Sequence, residues 1–362
     1  MSSLSAIICE KLLFNIPAGR QAICDNLCIK SMKKKAVVLF SGGLDSILAA
    51  KIIMDQDIEV LGINFSMEFV SKDVEKHKKR IKEIANSINM EFKIVDISDE
   101  YMGVLKNPAY GFGSNINPCI DCKILMLKKA KDIIKEAGAE FVVTGEVLGE
   151  RPMSQRMDAL NAIENKSGLK GYLLRPLSAK LLKPTIPEEK GIVDRNRLFG
   201  ISGRSRKPQF ELAGKLGIKN YFAPAGGCLL TDPGFARRLG DLIDHDALFL
   251  DDIRLLKFGR HFRFGEKTKF VLGRNKEDNE AIMNLKKEND AVFEPYGYQG
   301  PIGILRGERN DEFMKLAAGF LISHTKVKND RKANVRYWTI RENKNIVSSE
   351  PARREKIDEK RI

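Results

Sequence analysis

The stretch VVLFSGGLDSILAAKII, residues 37–53, starts as an apolar run, breaks at Ser41-Gly42-Gly43-Leu44-Asp45-Ser46, and resumes as an amphipathic helix pattern. A strand that ends in two glycines and two hydroxyls, followed at once by a helix, is a turn built around a ligand or around close packing. Outward from it the pattern repeats. AVVLF (36–40), EVLGINF (59–65), FKIVDI (92–97) and FVVTG (141–145) read as strands, with helical spacing at 44–54, 72–88 and 120–137. The strands are apolar throughout, as expected where both sheet faces are covered. Strands separated by helices imply right-handed crossovers and a parallel sheet. The fold class is therefore α/β, with ligands expected beyond the carboxyl ends of the strands, where Ser41–Ser46 lies.

The sequence of 362 residues has room for more than one core. Residues 32–250 read as the α/β domain, and 151–250 add helices and short strands. After Asp251 the character changes. RLLKFGRHFRFG, KFVLGR, AVFEPY, IGILRG and VRYWTI read as short strands, with helices near 276–288 and 311–325, forming a small α+β module over 251–346. Residues 347–362 read as a charged tail that frays. Residues 1–31 join poorly to the first strand, and SMKKKAVVLF reads as a start at Met32, so they are taken as an extension outside the fold. No run reaches the roughly 20 apolar residues of a membrane span, and the opening lacks a secretory pattern. The expectation is a cytoplasmic protein with no membrane partner.

Formal net charge is +14, and from Ile253 onward 25 Lys and Arg face 16 Asp and Glu. That surplus of +9 in under a third of the chain points to a polyanion partner. Of six cysteines, Cys9, Cys24 and Cys28 precede Met32, while Cys119, Cys122 and Cys228 lie in folded sequence. In a cytoplasmic chain, metal or sulfur chemistry is favoured over disulfides.

The two glycines of the loop let backbone N–H groups approach an anion, and the helix N-terminus adds its positive end. Ser41 and Ser46 supply hydroxyls, and Asp45 can hold magnesium (Mg2+) or orient the loop. A Walker A loop needs a lysine that is missing here, and the dinucleotide fingerprint is absent as well. Ser-Gly-Gly-x-Asp-Ser after the first strand resembles the pyrophosphate loop (PP-loop) of ATP pyrophosphatases, which split ATP into AMP and pyrophosphate. The resemblance implies ATP bound by Ser41, Gly42, Gly43, Asp45 and Ser46. It further implies Asn64 and Phe65 beside the adenine, and Gly145 and Glu146 of TGEVLGERPMSQ (144–155) on a second nucleotide-facing loop.

NPCIDCKILMLKKA sets Cys119 and Cys122 two apart at a helix start, where the helix dipole favours thiolates. Cys228 lies about a hundred residues later in PAGGCLLTDP. Two chemistries fit: a persulfide carrier with a resolving thiol, or three cysteines holding a 4Fe-4S cluster with one iron open. The loop, NPCIDC and the later Gly-Gly-Cys together resemble the tRNA thiouridine synthetases of the ATP pyrophosphatase superfamily. That resemblance covers about 33–250, and its iron–sulfur-dependent members imply Cys119, Cys122 and Cys228 as cluster ligands. It implies adenylation of a uridine carbonyl oxygen and its replacement by sulfur to give 2- or 4-thiouridine. The partners implied are tRNA and a sulfur donor (sulfide or a carrier protein), with a homodimer left open. The alternative is the same chemistry on a small nucleotide-like cofactor precursor.

RHFRFG, VLGRNKEDNE and GPIGILRG in 253–345 resemble the RNA-binding module of NFACT-type proteins. There Arg260, Arg263 and Arg274 read as phosphate contacts, with Phe262 and Phe264 as core. In SGRSRKP (202–208), Arg204, Arg206 and Lys207 could guide RNA or meet nucleotide phosphates.

Overall fold

A computed structural model describes residues 34–222, 228–327 and 332–362. Cys9, Cys24, Cys28 and the reading of residues 1–31 as an extension lie outside the described residues. In chain order the main elements begin β1 (Lys35–Leu39), α1 (Leu44–Met54), β2 (Glu59–Ser66), α2 (Val74–Ser87), β3 (Glu91–Asp96) and α3 (Ser98–Lys106). They continue with α4 (Cys119–Ala137), β4 (Phe141–Thr144), α5 (Met157–Ser167), β5 (Leu173–Leu174), α6 (Lys207–Lys215) and α7 (Pro233–Asp244). Then come β6 (Arg260–Gly265), β7 (Thr268–Leu272), α8 (Lys276–Asn284), β8 (Ala291–Pro295) and β9 (Gly303–Arg306). The last are α9 (Asp311–Ser323), β10 (Ala333–Trp338), β11 (Asn345–Ser349) and α10 (Arg354–Lys360).

The chain forms two compact units that interleave in sequence. Among the described residues, one takes 34–65 together with 81–94 and 124–222; the other takes 66–80, 95–123, 228–327 and 332–362. The first holds a five-stranded sheet ordered β3-β2-β1-β4-β5, with β1 in the middle. β1 runs parallel to both β2 and β4, and β5 runs parallel to β4. Leu39 lies opposite Ile63 on one side and Thr144 on the other. The carboxyl ends of three strands are thereby brought level, so the loop at Ser41, the pair Asn64-Phe65 and the pair Gly145-Glu146 emerge at one edge.

Helix α1 departs from the expected amphipathic pattern. Leu44, Ser46, Ile47, Leu48, Ala49, Ala50, Ile52 and Ile53 are all buried, so the helix is core on nearly every side. Small residues at Ser46, Ala49 and Ala50 let neighbouring elements approach it closely. Ile47, Leu48 and Ile53 join Val38, Phe40, Ile84, Phe141 and Val143 in one apolar cluster.

The second unit carries a six-stranded antiparallel sheet ordered β11-β10-β8-β9-β7-β6. Period-two alternation sorts its residues. Phe262, Phe264, Phe270, Phe293 and Phe320 of α9 share one core, and the Phe262 and Phe320 rings meet edge-on at 4.9 Å. Val271, Val292 and Ile304 pack with Ile282 of α8. Phe262 and Phe264 are thus core, as read from the sequence. The segment read as a fraying tail is structured instead. Residues 345–349 pair with β10, placing Val347 against Val335, and 354–360 are helical. Val347 and Ile357 pack on the phenylalanine core, which outweighs the charges around them. Among the described residues no helix is long and apolar enough to cross a membrane.

Candidate functional site

In the first unit the loop between β1 and α1 is shaped by its hydroxyls. Ser46 Oγ donates to the Gly43 carbonyl at 2.8 Å, and the Ser41 backbone N–H and hydroxyl both reach Ser46 Oγ at 3.3 Å. Gly42 sits at φ +73°, where glycine is at ease, and a Cβ there would lie 2.8 Å from the Phe222 ring. Gly43 caps α1 in extended geometry with no side-chain hydrogen bond. A helix that opens without a side-chain cap leaves first-turn N–H groups for an anion. Gly145 backs this turn so closely that no side chain fits.

Asp45 faces the loop from α1. Its Oδ2 accepts from Arg206 Nη2 at 2.9 Å, while its Oδ1 is buried with no hydrogen-bond partner among the described residues. Burial raises the Asp45 carboxyl above its ordinary value, against the pull of Arg206 and Arg151. Glu150 is raised as well, by burial and by Asp45. Gln209 is fully buried and its Nε2 reaches Glu150 at 3.4 Å. An acceptor oxygen held dry with nothing to accept is a place for a cation. The raised carboxyl makes binding depend on pH. A carboxylate that is to hold a cation beside a nucleotide must be ionised, so if Asp45 does so the acid limb of binding should fall at a higher pH than an ordinary carboxylate gives. Calorimetric titration of ATP with magnesium across pH measures this, and Asp45→Asn should remove the limb along with the binding.

The other residues expected around a nucleotide have internal work. Asn64 is buried and donates to the Phe40 carbonyl at 3.0 Å, locking β2 to β1, and Phe65 is buried beside it. Glu146 Oε2 accepts from Arg175 Nε at 3.0 Å and from Thr144 at 3.1 Å, forming a buried ion pair. Arg206, read as an RNA or phosphate residue, is held by Asp45 and lies 3.7 Å from Glu150. Arg204 and Lys207 are exposed. Glu150 and Arg151 lie in the stretch 144–155 without being singled out there; their electrostatic reach to Asp45 marks them, and the contact with Glu150 marks Gln209.

In the second unit the three cysteines come from segments far apart in sequence. Cys119 opens α4 and lies 3.1 Å from Asn117 Oδ1; the Cys122 N–H donates to the Pro118 carbonyl at 2.9 Å. Asp121 accepts from the backbone of Ala109 and Tyr110 at 3.1 and 3.0 Å, fixing the preceding loop. Asn115 donates to Thr231 at 2.9 Å and Leu229 to Phe69 at 2.9 Å, anchoring the segment after Cys228. None of the three is in a disulfide, and all are partly buried. They act on one another electrostatically and on Tyr101, whose hydroxyl also bonds to Cys122.

The expected lowering of thiol pKa at the helix start does not hold for Cys122. Burial pushes it up to about 12, with Cys119 and Cys228 adding to the rise. Burial raises Cys228 too. Among the described residues no set of three or more His, Cys, Asp or Glu is close enough to hold a metal ion. The sulfurs are neighbours and not a ready cage, although three cysteines outside any disulfide suit iron in kind. Tyr101, which no sequence motif marks, is the residue they share.

The arginines read as phosphate contacts are engaged within their own unit. Arg263 binds both oxygens of Asp241, and Arg274 both oxygens of fully buried Asp278. Arg260 is half-buried and reaches the Gly273 carbonyl at 3.4 Å. Lys269 is buried as well, and desolvation lowers it to about 7. The alternating pattern showed which residues are basic but not which carboxylates they meet.

Residues 31–186 match the family described as "Thiamine biosynthesis protein (ThiI)". Residues 259–361 match "NFACT protein RNA binding domain", a span that takes in β11 and α10. A "Probable tRNA sulfurtransferase" of Thermococcus kodakarensis is 27% identical over 183 residues, 49% of this chain and 44% of its own length. A "tRNA-specific 2-thiouridylase MnmA" of Listeria innocua is 24% identical over 288 residues, 72% of this chain and 73% of its own. The chain thus spans less than half of the Thermococcus relative. A solved 4-thiouridine synthetase bound to RNA and ATP aligns at TM-score 0.38 and 18% identity, covering 62% of this chain and 52% of that one. By these matches residues 31–186 are similar to the ThiI family, whose members carry the PP-loop, and residues 259–361 to the NFACT RNA-binding domain.

Proposed function

We propose that this chain is an ATP-dependent tRNA sulfurtransferase of the cytoplasm. The observation that carries the reading is an uncapped Ser-Gly-Gly-x-Asp-Ser turn in the same chain as three neighbouring cysteines outside any disulfide. The first suits a phosphate and the second a sulfur. In this reading the N–H groups around Gly42 and Gly43, with Ser41 and Ser46, hold the ATP phosphates, and Asp45 Oδ1 takes the magnesium ion. Gly145 lets the loop lie flat on β4.

A uracil carbonyl oxygen attacks the α-phosphorus, and the bond to pyrophosphate breaks. Sulfide then forms a bond to the activated ring carbon, the carbon–oxygen bond breaks, and AMP leaves with the oxygen. Cys119, Cys122 and Cys228 would hold a 4Fe-4S cluster, which supplies a coordination position for sulfide. Tyr101 orients Cys122 by its hydrogen bond, and Asn117 orients Cys119. The sulfur donor is sulfide or a carrier protein, and the product is 2- or 4-thiouridine.

The same chemistry on a small nucleotide-like precursor needs no RNA-binding domain, so the match at 259–361 favours tRNA. Incubation with α-labelled ATP, sulfide and an unmodified tRNA transcript tests the reading. AMP and pyrophosphate should form in step with tRNA consumption. ADP as the product, or turnover indifferent to tRNA, would refute it.

A further inference from the structure

Arg263 is paired with Asp241 and Arg274 with fully buried Asp278, which leaves other parts of the second sheet with freer cations for an RNA strand. In β10, Val335 and Tyr337 face the phenylalanine core, the Tyr337 ring stacking on Phe293 at 5.9 Å. Alternation therefore sends Arg336 and Trp338 to the opposite face. Across the ladders Arg336 lies opposite Ile346 of β11 and Glu294 of β8. The Arg336 guanidinium stands 4.8 Å over the ring of Tyr296, and Lys344 Nζ stands 4.9 Å over Trp338. Tyr296 is 41% exposed, Ile346 53% and Ile340 58%. Trp338 is only half-buried, its inner part packing with Val292 and Ile304.

We infer that this edge of the sheet, carrying Tyr296, Arg336, Trp338, Lys344 and Ile346, is a stacking platform for unpaired bases of an RNA strand. The inference rests on the reading of this domain as RNA-binding and adds where and how. Flat aromatic rings at the surface accept any base on their π-faces, and cations parked over those rings can exchange to the phosphates beside them. The carboxylates present do not close the face. Glu294 pairs with Arg336 at 3.0 Å, Glu288 with Arg341 at 2.6 Å, and Glu342 with Arg309 at 2.8 Å. The Glu288 and Glu342 pairs are exposed, and the Glu294 pair is part-buried; pairs open to solvent are weak and yield to a polyanion. A protein partner would use the apolar rings, but it has no need of the basic surplus of this third of the chain.

Trp338 is the single tryptophan of the sequence, so its emission reports this face alone. The full chain is titrated with a labelled single-stranded RNA of mixed sequence, monitoring both label anisotropy and tryptophan emission, and then with its duplex. Emission should be quenched by the single strand in step with binding and little by the duplex. Tyr296→Ala should weaken single-strand binding roughly tenfold, and Lys344→Glu should weaken it and flatten the salt dependence. Circular dichroism identifies any variant that has unfolded, and the wild-type quenching stands without variants. RNA binding with Trp338 emission unmoved and Tyr296→Ala neutral would overturn the platform, leave the RNA reading intact, and hand this face to a protein partner. No RNA binding at all would instead sink the RNA reading itself.

Discussion

Replacing Gly145 by alanine is expected to weaken ATP binding severely while leaving most of the fold standing. The added Cβ would lie 2.4 Å from the backbone carbon and oxygen of Asp45 and 2.6 Å from the Ser46 nitrogen. These are backbone atoms of the first turn of α1, not the tip of a side chain that can swing aside. Either β4 or the helix start must move, and overpacking of this kind costs about 1–3 kcal/mol. The helix start is also where the phosphate N–H groups lie, so a small shift there removes the cradle. Calorimetry should show ATP affinity down by roughly a hundredfold or more, an effect of about 2.7 kcal/mol, with a modest fall in melting temperature. Gly103→Ala serves as the contrast. It sits inside α3 with nothing within 4 Å of the added atom, so it should leave ATP binding alone and stabilise by roughly 0.5–1 kcal/mol. Unchanged ATP affinity in Gly145→Ala would mean the nucleotide binds somewhere else.

The second large effect concerns Cys228. Under anaerobic purification the wild-type chain should carry about four irons and four sulfides, and Cys228→Ala should lose both together with thiolation. Cys119→Ala and Cys122→Ala should behave alike, because the three sulfurs act as one group around Tyr101. The readout is absorption with iron and acid-labile sulfide analysis. A colourless, iron-free wild type that thiolates tRNA when given a sulfur donor would transfer the three residues to persulfide chemistry. Cys122 would then be the resolving or reserve thiol, since burial holds its proton tightly at neutral pH.

What the sequence makes legible depends on the distance over which each signal acts. The strand–loop–helix at 35–54 can be read because an apolar run, two glycines and a helical pattern are all local. The inward side of β6 can be read for the same reason: Phe262 and Phe264 are two apart. The reach of α1 into the core on nearly all sides is hidden, because a helix with Asp45 and Lys51 on it reads as amphipathic until its neighbours are known. Arg206 reads as an RNA contact because its partner Asp45 stands 161 residues earlier. The Arg263 pairing is hidden because Asp241 sits on a helix 22 residues upstream. Arg274 and Asp278 are four apart, and that spacing does carry a usable signal. The ordering of 345–360 escapes the sequence because charges dominate it, and three apolar contacts, Val347, Ala352 and Ile357, decide the outcome.

The measurement that bears most directly on tRNA thiolation by this chain is nucleoside mass spectrometry of an unmodified tRNA transcript. The tRNA is incubated anaerobically with the full chain, ATP, magnesium and sulfide, and then digested. A thiouridine should appear that needs ATP and is lost in Asp45→Asn and Cys228→Ala. Unchanged uridine throughout, with the protein folded and binding both ATP and tRNA, would contradict the sulfurtransferase reading.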